Sequence, residues 1–241
     1  MGEVRGAGEA FPCNADAMQI GIGLYPGFTA LDAIGPYQVF SSLPGADVVL
    51  CAERTGPLDD DNTLHLSIEH TFADVPSPDV LLVPGGLVTR RIARERGPIV
   101  EWIAAAHPTT TFTTSVCTGA LLLGAAGVLD GLDATTHWFA YDELASYGAQ
   151  PTEERVVFQG KVVTAAGVSA GIDLALRLVD ALHGPDMAQA IQLGIEYDPQ
   201  PPFDAGSPSK APAAIRELVA SAMSAAEARL LGDAAQAGAG G

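Results

Sequence analysis

"TTTFTTSVCTGALLLGAAGVLDG", residues 109–131, is the stretch that decides the fold. It opens as a β-branched run, the composition of a strand, and stops at Cys117. Small residues then lead into an apolar, helix-like segment. A side chain at such a strand-to-helix corner is pushed out above the sheet edge, where the first unbonded N–H groups of the helix point at it. Those donors and the helix dipole predict a lowered thiol pKa, which makes Cys117 a candidate nucleophile. Thr118, Gly119 and Ala120 are small, as a tight corner requires, by the same logic as the nucleophile elbow of hydrolases. A single cysteine is ordinarily inert packing, and that reading is kept for Cys13, in a polar tail, and Cys51, in mid-strand.

Working outward, strand and helix signals alternate. Residues 18–25 read as a strand stopped by Pro26-Gly27, residues 30–43 as a helix that Gly35 and Pro36 bend or delay, and residues 46–53 as a second strand. The alternating 64–70 reads as a half-exposed strand, and 79–86 as a buried strand ending in a turn. Residues 99–107 have helical spacing, with Pro98 suited to the first turn. Residues 134–148 start extended and become helical, and Gly148 ends them. Residues 155–167 form a hairpin around Gln159-Gly160, and 172–184 is a strongly periodic helix. Such alternation implies a mostly parallel sheet covered by helices on both faces, with chemistry gathered at the carboxyl ends of the strands. The expected organisation is a disordered tail over 1–17, a single domain over 18–197, and then an extended arm, one amphipathic helix (213–232) and a frayed end over 198–241.

The 241-residue chain has 29 Asp and Glu against 12 Lys and Arg, a formal net charge of −17, with 48% hydrophobic residues. Such a chain folds compactly, and its surface repels nucleic-acid phosphates and anionic lipid. The basic run "RRIARER", 90–96, reads as a solvated helix face rather than an anion site. The opening residues carry no secretion signal, no apolar run is long enough to span a membrane, and three unpaired cysteines suit a reducing cytoplasm. His65 and His70 have an odd spacing that separates them across a strand, so no metal site is expected.

A competing nucleophile is Ser169 in "GVSAG", 167–171, which matches G-x-S-x-G. Only His183 follows it, inside the helix that Ser169 would start, so an esterase triad lacks its parts.

With "VPGG", "SVCTGALLLGAAGVLDG" and "ATTHW" in this order, the sequence resembles the ThiJ/PfpI superfamily over roughly residues 18–210. "LYPGFTALDAIGP" and "IQLGIEYDPQPPFDAGSP" make it most similar to the isocyanide hydratase branch. The resemblance implies a flavodoxin-like α/β fold, of the class I glutamine amidotransferase type, in a cytoplasmic homodimer that needs no cofactor or metal. It implies Cys117 as nucleophile and Asp32 as the acidic group facing the thiol. By the residues alone, Asp32 would be a helix N-cap. It further implies oxyanion-type donors at the Gly86 and Thr118 amides, His137 near the site, and Val168 lining the pocket floor. Thr118 stands where the protease-like branch has histidine, which counts against peptidase activity. The expected chemistry is hydration of a small isocyanide to an N-substituted formamide through a cysteine thioimidate. A redox sensor, an effector-binding domain and a glyoxalase-like hydratase stay open as alternatives.

Overall fold

The computed structural model describes the backbone of residues 18–238 and side chains through residue 229. The expected tail, with Cys13, lies outside the described residues. The strands are β1 (Met18–Gly23), β2 (Ala46–Ala52), β3 (Gly56–Asp59), β4 (His65–Ile68), β5 (His70–Thr71), β6 (Val80–Val83), β7 (Phe112–Val116), β8 (Asp133–Ala134), β9 (Gln150–Pro151), β10 (Val156–Gln159) and β11 (Val162–Ala165). The helices are α1 (Ala30–Ser41), α2 (Thr89–Glu95), α3 (Pro98–Ala106), α4 (Gly119–Ala125), α5 (Tyr141–Ser146), α6 (Ala170–His183), α7 (Pro185–Gly194) and α8 (Ala213–Gly238).

Seven strands make one sheet in the order β10-β11-β7-β6-β1-β2-β5, parallel throughout except for the β10–β11 hairpin. The central strand β6 is apolar on both faces, as helices above and below require: all four of its residues are buried. One helix group is α1, α6 and α7; the other is α2, α3 and α4. From β1 the chain builds outward through β2 to β5, then returns to β6 and builds the other way. The order therefore reverses between β1 and β6, and a crevice opens there at the strands' carboxyl ends.

Several elements depart from the sequence reading. The segment 64–70 divides into β4, which pairs with β3 in a separate hairpin, and the short β5, which joins the main sheet. Pro36 sits inside α1 without delaying its start at Ala30; the N–H it lacks would have bonded the Asp32 carbonyl. Helix α7 has no counterpart in the sequence reading. The C-terminal helix forms, but Ile215, Leu218 and Val219 stay 47%, 66% and 40% exposed instead of facing the body. The basic run is not simply solvated either: Arg90 is part-buried and ion-paired to Glu143 on α5 and Glu227 on α8. Among the described residues, no helix is long and apolar enough to cross a membrane.

Candidate active site

Three chain segments meet at the crevice: the start of α1 after β1, the "VPGG" turn after β6, and the corner after β7. Cys117 takes φ +57°, the left-handed region that costs a non-glycine residue energy and turns its side chain out of the strand. The corner is held from both sides. The Cys117 N–H donates to the Ala165 and Ala166 carbonyls at 3.1 and 3.0 Å, and the Thr136 hydroxyl donates to the Cys117 carbonyl at 2.9 Å. Gly119 then lies so close to the sheet that a Cβ there would be 2.5 Å from the Val83 carbonyl oxygen. The small residues of the motif thus have a packing cause.

Asp32 is the third residue of α1 and fully buried, yet its carboxyl does not cap the helix. It leaves the helix and accepts the Gly85 N–H at Oδ2, 2.8 Å away. Gly85 has to be glycine, because a Cβ would lie 2.6 Å from the Thr118 nitrogen and 2.8 Å from Asp32 Oδ2. The other carboxyl oxygen, Oδ1, is buried with no hydrogen-bond partner among the described residues. Burial is the main cause that raises the Asp32 pKa to about 7; the Gly85 amide and the Cys117 side chain pull the other way, and Asp61 pushes it further up.

The thiol behaves differently from what the corner alone predicts. Cys117 is only 6% exposed, and burial, followed by the charge of Asp32, drives its pKa up. The Thr118 and Val168 amides, which hydrogen-bond to the sulfur, oppose this but do not win. The expected lowering is therefore reversed: desolvation outweighs helix-terminal donors in so closed a site. The two acids sharing this space are coupled, Asp32 raising the thiol's pKa while the thiol's hydrogen bond lowers that of Asp32, and at neutral pH the pair retains at least one proton.

The sequence-derived residues fall into two groups. Cys117, Asp32 and Thr118 meet directly, and Val168, at φ +22°, adds an amide to the sulfur. The Gly86 N–H is directed at Thr118 Oγ1, 3.0 Å away, so the donors aimed at sulfur are Thr118 and Val168. His137 stands on the wall of an adjacent cleft of about 360 Å³, which Cys117 does not line but which Val168, whose amide reaches the sulfur, does. Its Nδ1 accepts the Phe139 N–H at 3.3 Å, and burial, followed by Arg90, lowers its pKa and keeps it neutral. Ser169 has ordinary helical φ and accepts from Arg155, with His183 at the far end of α6, so no esterase elbow forms. Among the described residues, no cluster of three or more His, Cys, Asp or Glu could hold a metal ion.

The sequence reading assigned no role to Tyr25, Gly85 or Trp138. Tyr25 donates to the Pro84 carbonyl at 2.7 Å; burial, then Asp32 and Cys117, raise its pKa, so the phenol stays neutral beside the pair. Gly85 carried a signal in "VPGG", but only the folded turn shows which of its glycines meets Asp32.

A family model described as the DJ-1/PfpI family matches residues 18–181. The isonitrile hydratase of Pseudomonas putida is 44% identical over 199 residues, 83% of this chain and 87% of that protein. A transcriptional regulator of Pseudomonas aeruginosa, CdhR, is 30% identical over 68% of this chain, which spans 51% of the regulator. Among solved structures, a ThiJ/PfpI family protein from Pseudomonas syringae superposes with a TM-score of 0.84 at 39% identity, covering 94% of this chain and 96% of its own.

Proposed function

This chain belongs to the DJ-1/PfpI family, and from that premise we propose that it is an isocyanide (isonitrile) hydratase. The observation that carries the reading is the enclosed Cys117–Asp32 pair, in which a nucleophile and a carboxyl that titrates near neutrality contact one another out of water. The 44% identity to the Pseudomonas putida enzyme supports the same choice.

An isocyanide carries a terminal carbon bonded only to nitrogen, and hydration must bring both a nucleophile and a proton to that one atom. In the proposed reaction the sulfur of Cys117 bonds to this carbon while the thiol proton passes through Asp32 to the same carbon. The product is a thioimidate, R–N=CH–S–Cys. Asp32, left as the carboxylate, takes a proton from water as the oxygen adds to the thioimidate carbon. The C–S bond then breaks, nitrogen and sulfur each hold a proton, and R–NH–CHO leaves. The net change is one isocyanide and one water to one formamide, so the cycle returns the pair to its starting state.

A carboxyl with a pKa of about 7 suits a relay that must both take and give a proton at neutral pH. The Thr118 and Val168 amides stabilise the sulfur when it bears charge. The test is turnover of n-butyl isocyanide by wild type and Cys117→Ala, with intact-mass spectrometry for a substrate adduct. Wild type yields N-butylformamide, and the variant yields neither product nor adduct. A fully active variant refutes covalent catalysis, and an inactive wild type refutes the assignment.

A further inference from the structure

Trp138 follows His137 on the loop after β8 and lines two cavities at once. One is the cleft of about 360 Å³ that adjoins the thiol through Val168; the other, about 160 Å³, lies between the arm and the first turns of α8. Gly206, Ser207 and Pro208 of the arm also line both. The indole and these three arm residues therefore form the partition between the cleft and the smaller space behind it.

The indole is held in place by a chain of contacts. The Phe139 ring meets it edge-on at 5.6 Å, with an interplanar angle of 77°, and the His137 ring lies 5.6 Å away on the cleft side. Phe139 is fixed in turn by Arg90, whose guanidinium lies over the ring at 5.6 Å and donates to the Phe139 carbonyl at 3.2 Å. Arg90 is anchored by Glu143 and Glu227. A wall braced across α2, α5 and α8 does not yield easily to a larger ligand.

We propose that Trp138 is the specificity-determining wall of the cleft, limiting substrates to isocyanides with small, non-anionic substituents. This rests on the isocyanide reading and adds the substrate class to it. A cleft of about 360 Å³ is at the small end for ligand pockets. Leu31, Trp138, Val168 and Pro208 form the apolar part of its lining, beside the polar Glu153, Arg155 and Ser169. The cation there, Arg155, is already bridged to Asp173 and Ser169, so an anionic substituent finds no free partner.

The test compares wild type, Trp138→Ala and Trp138→Phe on n-butyl and 2-naphthyl isocyanide. Opening the partition raises the naphthyl-to-butyl ratio of kcat/KM about 10-fold or more in Trp138→Ala, with a smaller rise in Trp138→Phe, since one or a few methylenes of fit are worth 10- to 200-fold. A parallel arm needs no turnover: alkylation of Cys117 by N-ethylmaleimide and N-(1-pyrenyl)maleimide, followed by peptide mass mapping. The pyrenyl-to-ethyl rate ratio rises in the same order. If Trp138→Ala does not fold, Trp138→Phe carries both arms with a rise of about 3-fold. Unchanged ratios in both arms overturn the wall. A wild type that hydrates neither isocyanide while the alkylation ratio still rises leaves the wall standing and removes the hydratase reading instead.

Discussion

Replacing Asp32 by Asn should stabilise the protein, and by more as the pH rises. The carboxyl ionises near 3.8 in an unfolded chain and near 7 in the folded one. Its folded pKa is raised, so the unfolded state loses the proton first. The stability it contributes is fully present below about 3.8 and drains away as the pH rises through 7. The accumulated loss is roughly 1.5 kcal/mol at pH 5 and roughly 4 kcal/mol at pH 8. Asparagine keeps the shape, offers an oxygen to the Gly85 N–H, and never ionises. The stability gap between Asp32→Asn and wild type should therefore widen by roughly 2–3 kcal/mol between those two pH values. For a chain of this size that is on the order of 5–10 °C in melting temperature. Urea unfolding of both proteins at each pH, compared as a double difference, cancels the titrating groups that are not coupled to Asp32. A gap that does not change with pH, or one that narrows, would show that Asp32 is not held in its protonated form and would undo the account of the pair.

The same pair sets the pH dependence of turnover. The productive form holds one proton between Cys117 and Asp32, and with both protonated no nucleophile is available; kcat/KM should rise with pH to a plateau, with a midpoint of about 7. A profile flat from pH 5 to pH 9 would contradict this. Gly119→Ala places a Cβ 2.5 Å from the Val83 carbonyl oxygen and 2.8 Å from that of Pro84, both backbone atoms. It should cost about 1–3 kcal/mol in denaturant unfolding, with turnover reduced because the Cys117 corner has to shift. A variant within about 0.5 kcal/mol of wild type would remove the packing reason given for the small residues of the motif.

What the sequence made legible is local. A β-branched run that stops at a cysteine followed by small residues is enough to place Cys117 at a corner, since strand and helix preferences and the tight turn all act within a few residues. The alternation of strands and helices likewise carried the mostly parallel sheet. Asp32 was a different case: its own neighbours describe an N-cap, and only the family resemblance put it at the thiol. The contact that matters comes from Gly85, 53 positions away. The direction of the thiol's shift was misread for the same reason. Helix donors are visible beside Cys117, but desolvation is the work of segments from across the chain, and in the folded site it is the larger effect. Trp138 could not be read at all, because its role depends on an arm about seventy residues later returning beside it.

The treatment of the carboxyl follows from what a relay requires. A second donor at Asp32 Oδ1 would lower the pKa and recover part of the roughly 4 kcal/mol lost by pH 8, a large share of the 5–15 kcal/mol by which domains are stable. The fold supplies one amide at Oδ2 and no partner among the described residues at Oδ1. A carboxylate with both oxygens satisfied would hold its charge near pH 4 and take the thiol's proton only at a steep cost. With one oxygen bonded and the other buried, the proton is nearly as well placed on Asp32 as in water at pH 7. The carboxyl can then take it from sulfur and release it to carbon within one cycle. The buried apolar residues of β6 and α4 have to offset that destabilisation.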